Sequence, residues 1–295
     1  MQKPFHSGFV AILGRPNVGK SSIMNTFVGE KVAIVSNRPQ TTRSRILGVA
    51  SGEGWQIVFV DTPGLHKPRT KLGEYMMKSA DEAREGVDAV LCVVDAQHIG
   101  AGDRAVLEDV AKMNCPKFLC VNKIDLVTPE KLMPQLATLN DCGFDTIVSA
   151  SARRGDNMDV LLNKLIEAMP EGPKYFPDDM VTDQPERVLC AEIIREKALR
   201  NLNEEIPHGI GVEMMRITKV SDGLTEIEAD IYCERPSHKS IIIGKNGAML
   251  NRIGSEARRD IERMMGTHVM LKLWVKVREN WRNRASDLSA LGYTD

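Results

Sequence analysis

Between Phe9 and Met169, short apolar runs alternate with amphipathic stretches. Phe9–Leu13, Ile57–Val60, Ala89–Val94, Phe118–Val121 and Thr146–Val148 read as buried strands, because each is short, apolar and bounded by polar or Gly-containing segments. Between them Ser21–Val28, Gly73–Arg84, Asp103–Lys112, Pro129–Leu139 and Met158–Met169 place apolar residues at helical spacing. Strands alternating with helices predict βαβ units: a mostly parallel sheet with helices on both faces.

The pattern then changes. Pro170, Gly172, Pro173 and Pro177 crowd one stretch, so residues 171–182 read as a linker between a domain at 1–170 and a second at 183–295. In the second, Arg187–Leu202 is helical, with apolar Val188, Leu189, Ile193, Ile194 and Leu199. Two strands follow, Gly211–Thr218 and Thr225–Cys233, the latter alternating as Ile227, Ala229, Ile231. The short apolar run Ile241–Ile243 leads into Gly244-Lys245-Asn246-Gly247, a helix reaching Met265 and a strand Val269–Val277. Trp274 reads as core within that alternation. The order α-β-β-α-α-β predicts an α+β domain with helices on one face of a three-stranded sheet.

Composition narrows the class. The chain has 295 residues, 39 Lys+Arg against 40 Asp+Glu, 42% hydrophobic and 27% charged residues. These are ordinary globular values, which exclude disordered, collagen-like and coiled-coil chains. The longest apolar run, Ala89–Val94, is far short of the ~20 residues of a bilayer span, and Met1–Gly14 lacks signal-peptide architecture. The expected location is the cytoplasm, with peripheral attachment at the inner membrane face left open. Six cysteines are scattered without a CxxC pair, and six histidines show no HExxH. Cys92 and Cys120 sit in apolar runs and read as reduced core residues. The near-neutral total hides an asymmetry: residues 171–234 hold 7 Lys/Arg against 15 Asp/Glu, whereas residues 235–284 hold 12 against 4. The basic block is the electrostatic footprint of a polyanion partner.

Gly14-Arg15-Pro16-Asn17-Val18-Gly19-Lys20-Ser21 matches GxxxxGK[ST], after a predicted strand and at the start of a predicted helix. The two glycines let successive N–H groups point inward as an anion nest, and the helix N-terminus adds positive dipole. Lys20 would bridge the outer phosphates of a nucleotide, the Ser21 hydroxyl would ligate Mg²⁺, and Ser22 follows in the same turn.

Two further motifs select the base. Asp61-Thr62-Pro63-Gly64 ends a strand; Asp61 can reach the Mg²⁺ shell, and the Gly64 N–H can approach a γ-phosphate. Asn122-Lys123-Ile124-Asp125 ends another. Asp125 can accept hydrogen bonds from N1–H and the exocyclic amine of guanine, a pairing that adenine would leave unmade. Lys123 can cover the face of the base, and Asn122 can tie this loop to the phosphate loop. A Ser-Ala pair is expected to close the site, with Ser149-Ala150 and Ser151-Ala152 both available. Ser151-Ala152 is preferred because Gly155 follows at turn spacing; its backbone N–H would donate to guanine O6, and Arg153 flanks it. The reading is a GTP-hydrolysing enzyme, with Lys20, Asp61 and Gly64 in the catalytic set. An ATP-using P-loop kinase, disfavoured by Asn122–Asp125, and a nucleotide-gated RNA-binding scaffold with little hydrolysis are the competing readings.

These residues together resemble the Era family of bacterial GTPases. The resemblance rests on GRPNVGKS, PQTTR (Pro39–Arg43), DTPGLH (Asp61–His66), NKID, Ser151–Gly155, IIIGKNG (Ile241–Gly247) and LKLWVKV (Leu271–Val277), and covers almost the whole chain. It implies a P-loop GTPase domain followed by a type II KH domain. It implies GTP and Mg²⁺ as substrate and cofactor, 16S ribosomal RNA near its 3′ end and the 30S subunit as partners, and a monomer. By motif position Thr42 resembles the switch-I Mg²⁺ ligand and so joins the catalytic set, with Thr41 as the alternative. Switch I would span about 35–45 and switch II about 64–78. Leu65 stands where many small GTPases carry a water-orienting Gln. Asn17 resembles the Asn of relatives in which K⁺ serves as the arginine finger does.

In the second domain, Gly244 and Gly247 let the backbone approach a phosphodiester, Lys245 adds charge and Asn246 a polar side chain. With Ile243, and with Arg252, Arg258 and Arg259 on the following helix, they form the expected RNA-binding set; Arg263 lies on the same helix. Trp274 and Trp281 are candidates for base stacking. Gly244→Asp is expected to abolish RNA binding and spare GTP hydrolysis.

Overall fold

A computed structural model describes residues 4–36, 41–64, 70–84, 86–202 and 206–293. The PQTTR residues Pro39 and Gln40, and Leu65 and His66 of DTPGLH, lie outside the described residues. The chain forms two compact units: Met1–Val35 with Thr42–Lys67 and Met76–Asp183, and Ser36–Thr41 with Pro68–Tyr75 and Gln184–Asp295.

In the first unit the order is β1 (His6–Leu13), α1 (Lys20–Val28), β2 (Ile46–Gly52), β3 (Trp55–Asp61), α2 (Lys71–Glu82), β4 (Ala89–Asp95), α3 (Ala101–Ala111), β5 (Lys117–Asn122), α4 (Pro129–Leu139), β6 (Thr146–Ser149) and α5 (Met158–Ala168), with α2 shared between the units. The strands lie side by side as β2-β3-β1-β4-β5-β6. Only β2 runs antiparallel, paired to β3. The apolar runs are central because they are buried on both faces: Val10 to Leu13 and Ala89 to Val93 are fully inaccessible. Their side chains alternate between two cores, one under α1 and α5, the other under α3 and α4. A parallel sheet so wound brings the C-terminal strand ends, and the loops that follow them, to one edge.

The stretch read as a linker is stitched to the first unit. Gln56, fully buried on β3, accepts from the N–H groups of Tyr175 (2.8 Å) and Phe176 (2.9 Å) and donates to the Phe176 carbonyl (2.9 Å). Ser7 Oγ donates to Pro173 O at 2.6 Å, and Val49 N to Val181 O at 2.8 Å. Gln56→Leu leaves three peptide groups without partners, at ~1–3 kcal/mol each if they stay buried, so the segment should lift into water. Limited proteolysis should then cut between residues 174 and 182 about tenfold faster than in the wild type; an unchanged cleavage rate contradicts this.

The second unit contains α6 (Glu186–Asn201), β7 (Gly211–Ser221), β8 (Leu224–Cys233), α7 (Pro236–Ile243), α8 (Ala248–Met265), β9 (His268–Val277) and α9 (Ala285–Ala290). The sheet order is β7-β8-β9, with β7 antiparallel and β9 parallel to β8. Ile227, Ala229 and Ile231 face inward, fully buried against Cys190, Ile194 and Ala198 of α6 and Ile253, Ala257 and Ile261 of α8. Here the tryptophan assignment is corrected. Trp274 stands on the outer face, 45% exposed, because Val269, Leu271, Leu273 and Val275 occupy the inner register of β9. Trp281 is the core residue, fully buried with its indole N–H donating to Gly209 O at 2.9 Å, so it is not available to stack on a base.

Cys92, Cys120, Cys190 and Cys233 are buried thiols. Burial pushes Cys92 and Cys120 up to about 12, which keeps them protonated and unreactive. Among the described residues, no helix is long and apolar enough to cross a membrane.

Candidate nucleotide site and RNA-facing loop

The loop between β1 and α1 wraps back on itself. Lys20, the first residue of α1, is buried and donates to Gly14 O and Arg15 O, both at 3.1 Å. Its ammonium thus sits at the mouth of the nest. Gly19 has φ +105°, and a Cβ there would lie 2.2 Å from Asn122 Nδ2, so the backbone needs glycine on both counts. Val18 is buried, while Arg15 swings out to pair with Asp103 of α3 at 3.2 Å.

Three side chains from separate stretches of the chain converge beside Lys20. Ser21 Oγ of α1 donates to Asp61 Oδ2 of β3 at 2.6 Å, and Thr42 Oγ1 lies 3.1 Å from Ser21 Oγ and 3.3 Å from Asp61 Oδ2. Thr42 thus brings its hydroxyl to the cluster. Asp61 Oδ1 is buried and has no hydrogen-bond partner. Burial pushes the Asp61 carboxyl up, against the pull of Lys20, Ser21 and Thr42, and pushes the Lys20 ammonium down, against the pull of Asp61. An orphaned carboxylate oxygen among two hydroxyls is a hard, all-oxygen donor set, which fits Mg²⁺. Thr62 is turned away, its hydroxyl donating to Ile12 O at 3.0 Å.

At the other end, Asn122 joins three loops. Its Nδ2 donates to Val18 O (2.9 Å), and its Oδ1 accepts the N–H of Ala152 (3.1 Å), the same N–H that the sequence reading aims at guanine O6. Ser151 Oγ donates to Asp125 Oδ1 at 2.7 Å and accepts the Arg154 N–H at 3.2 Å. Of the two Ser-Ala pairs, Ser151-Ala152 contacts the Asn122–Asp125 loop, whereas Ser149 lies inside β6. Arg153 is exposed. Lys123 adopts φ +68° and donates to Asn17 O at 2.7 Å and Asp95 Oδ2 at 2.6 Å. Gly14 to Ser22, Asp61 to Gly64, Asn122 to Asp125 and Ser151 to Arg153 therefore belong to one edge of the first unit. Asp95 and Asp103 escaped the sequence reading, since neither lies in a recognisable motif.

In the second unit Ile243 ends α7, and Gly244-Lys245-Asn246-Gly247 turns the chain into α8. Lys245 and Asn246 are exposed at the positive end of an 18-residue helix. The buried stripe Ile253, Ala257, Ile261 turns Arg252, Arg258, Arg259 and Arg263 outward. Gly244 has φ +72°, and a Cβ there would sit 2.7 Å from Met249 Cβ and 2.9 Å from Met249 N. Gly244→Asp would therefore deform the loop as well as add charge, so it cannot isolate the electrostatic contribution.

Residues 9–123 match the family model described as 50S ribosome-binding GTPase, and residues 205–282 match the KH domain model. The chain is 52% identical to the GTPase Era of Alkaliphilus metalliredigens over 292 residues, covering 98% of this chain and 99% of that one. The chain belongs to the Era family of GTPases. GTPase Era of Clostridioides difficile is likewise 52% identical, over 99% of both chains. A solved Era in complex with MgGDPNP and nucleotides 1506–1542 of 16S ribosomal RNA superposes with a TM-score of 0.93 at 38% identity, over 99% of this chain and 100% of that one. Aquifex aeolicus Era bound to GDP·AlF4⁻, a variant, gives 0.93 at 37% identity with the same coverage. Membership makes this chain a GTPase, and its second unit carries the KH domain.

Proposed function

We propose that the chain is a GTP-driven switch which binds the 3′ end of 16S ribosomal RNA through its KH domain and assists assembly of the 30S subunit in the cytoplasm. The observation that carries this reading is the convergence of Ser21, Thr42 and Asp61 beside Lys20, in a chain similar along its whole length to an Era solved with MgGDPNP and 16S RNA. We assign residues 1–170 to the GTPase domain, 171–182 to the tether and 183–295 to the KH domain.

Each residue then has a task. The nest from Gly14 to Gly19 wraps the phosphates with N–H donors, and Lys20 exchanges its two carbonyl partners for the outer phosphate oxygens. Ser21, Thr42 and Asp61 would hold Mg²⁺, which neutralises charge developing between the outer phosphates. Asp125, held by Ser151, reads the Watson–Crick edge of guanine, and Lys123 lies along its face. In the KH domain Lys245 and the outward arginines of α8 face the RNA backbone, while Gly244 and Gly247 let it come close.

The test is phosphate release from GTP in Mg²⁺ buffer, with ATP as competitor and with or without an RNA carrying the 16S 3′ end. GTP turnover that ATP does not suppress is expected; equal use of both nucleotides defeats the reading. Lys245→Glu should weaken that RNA by about 10- to 100-fold, steepest at low salt, with unchanged basal turnover. Unaltered RNA affinity in a filter-binding assay removes the loop from the interface.

A further inference from the structure

Asp95 ends β4, directly across from Asn122 in the parallel β4–β5 pairing, and Ala96 N closes the register on Asn122 O at 2.8 Å. Both of its carboxylate oxygens are engaged. Oδ1 accepts the Gln97 N–H at 2.9 Å, which fixes the rotamer, and Oδ2 accepts Lys123 Nζ at 2.6 Å. The same ammonium donates to Asn17 O in the phosphate loop at 2.7 Å. The Lys123 side chain is thus pinned at its tip by groups from two other loops, and at its base by a left-handed backbone that a non-glycine residue adopts only when its surroundings hold it there.

A lysine on the surface samples many rotamers, and a flexible stem makes a poor wall for an aromatic ring. Here the four methylenes are stretched between the Asn122–Asp125 loop and the phosphate loop. We propose that Asp95 is a positioning residue for the guanine nucleotide: its carboxylate holds the Lys123 ammonium so that the apolar stem forms a fixed ledge for the purine ring, braced to the phosphate loop at Asn17. This rests on the guanine site proposed above. Asp95 touches no nucleotide atom; it acts through Lys123 alone. A ledge meets the ring face, whereas Asp125 meets the ring edge. The two contributions therefore separate experimentally. Loss of the ledge weakens all purines equally, and loss of the edge contact weakens only those that carry the guanine donors.

The experiment measures GDP and IDP affinity and GDP dissociation for the wild type, Asp95→Asn, Asp95→Glu, Lys123→Met and the Asp95→Asn/Lys123→Met double variant, with melting of the nucleotide-free chains as the folding control. Asp95→Asn keeps an acceptor for Gln97 N–H and removes the charge. It should weaken GDP and IDP by the same factor, about tenfold, through faster dissociation, raising the KM for GTP at unchanged kcat. Asp95→Glu should restore part of the loss. In the Lys123→Met background Asp95→Asn should cost nothing further. Unchanged GDP dissociation in a folded Asp95→Asn chain, a changed GDP-to-IDP ratio, or losses that multiply in the double variant each overturn the inference. Should Asp95→Asn melt below the assay temperature, the Asp95→Glu and Lys123→Met chains still decide: Glu must retain more affinity than Met. A wild-type chain that ignores GDP overturns the guanine site and this inference together, whereas a wild type that binds GDP no more tightly than the folded Asp95→Asn chain overturns this inference alone.

Discussion

Replacing Asp125 by asparagine should weaken GDP and GTP binding by roughly 100- to 10,000-fold. That range follows from two hydrogen bonds to a charged group at ~1.5–3 kcal/mol each, with each ~1.4 kcal/mol worth a factor of ten. The carboxylate offers acceptors to both N1–H and the exocyclic amine of guanine. An amide offers one acceptor and one donor, so its NH₂ meets an amine that also donates. Xanthine carries a carbonyl in place of that amine. The same substitution should therefore improve XDP binding while GDP binding falls. The structure sharpens this expectation, because Ser151 Oγ donates to Asp125 Oδ1 at 2.7 Å and takes the Arg154 N–H at 3.2 Å. The reading head is held on its loop and cannot swing to another pose. Titration calorimetry with GDP and XDP checks it; equal GDP affinity in wild type and variant would remove Asp125 from base recognition.

Gly64→Ala should lower kcat for GTP by about 100-fold or more while GDP affinity changes only a few-fold. A Cβ at Gly64 would lie 2.6 Å from Pro16 N and 2.7 Å from Pro16 Cα and Cγ, a separation that forces one backbone to move. Pro16 belongs to the phosphate loop, and Gly64 follows the strand that carries Asp61. Relief therefore comes at the expense of the distance between the loop proposed to hold the phosphates and the segment proposed to meet the γ-phosphate. GDP has no γ-phosphate and is held mainly by the nest, so its binding is largely spared. Single-turnover hydrolysis beside GDP titration separates the two; wild-type turnover in Gly64→Ala would show that the contact between the two loops does not matter for hydrolysis.

Much of this site was legible in the chain. The phosphate loop follows a strand, and Asp61–Gly64 and Asn122–Asp125 each begin at a strand's last residue, as their apolar runs lead one to expect, because local pattern governs both strand formation and loop chemistry. The edge strand β2 was not legible. Its residues Gly48, Ala50, Ser51 and Gly52 have little strand character, and only pairing with β3 makes them one. The buried role of Gln56 was equally silent, since its partners lie more than a hundred residues away.

By itself the sequence determined which chemical groups this protein brings to bear: the nest, the ammonium, the carboxylate proposed to read guanine and the glycine turn of the KH loop are all set by residue type and short-range spacing. Choices between near-equal candidates fell to the tertiary structure. It set the Ser151 hydroxyl on Asp125 and the Thr42 hydroxyl beside Ser21, because which side chain reaches a given group depends on how separate strands align. It placed Trp281 inside, because burial of a residue beyond the last strand depends on what packs over it, while Trp274 stands outside on the face of β9 that it shares with Lys272 and Lys276. It brought Asp95 to Lys123, because parallel pairing sets their strand ends side by side across a gap that no local pattern spans.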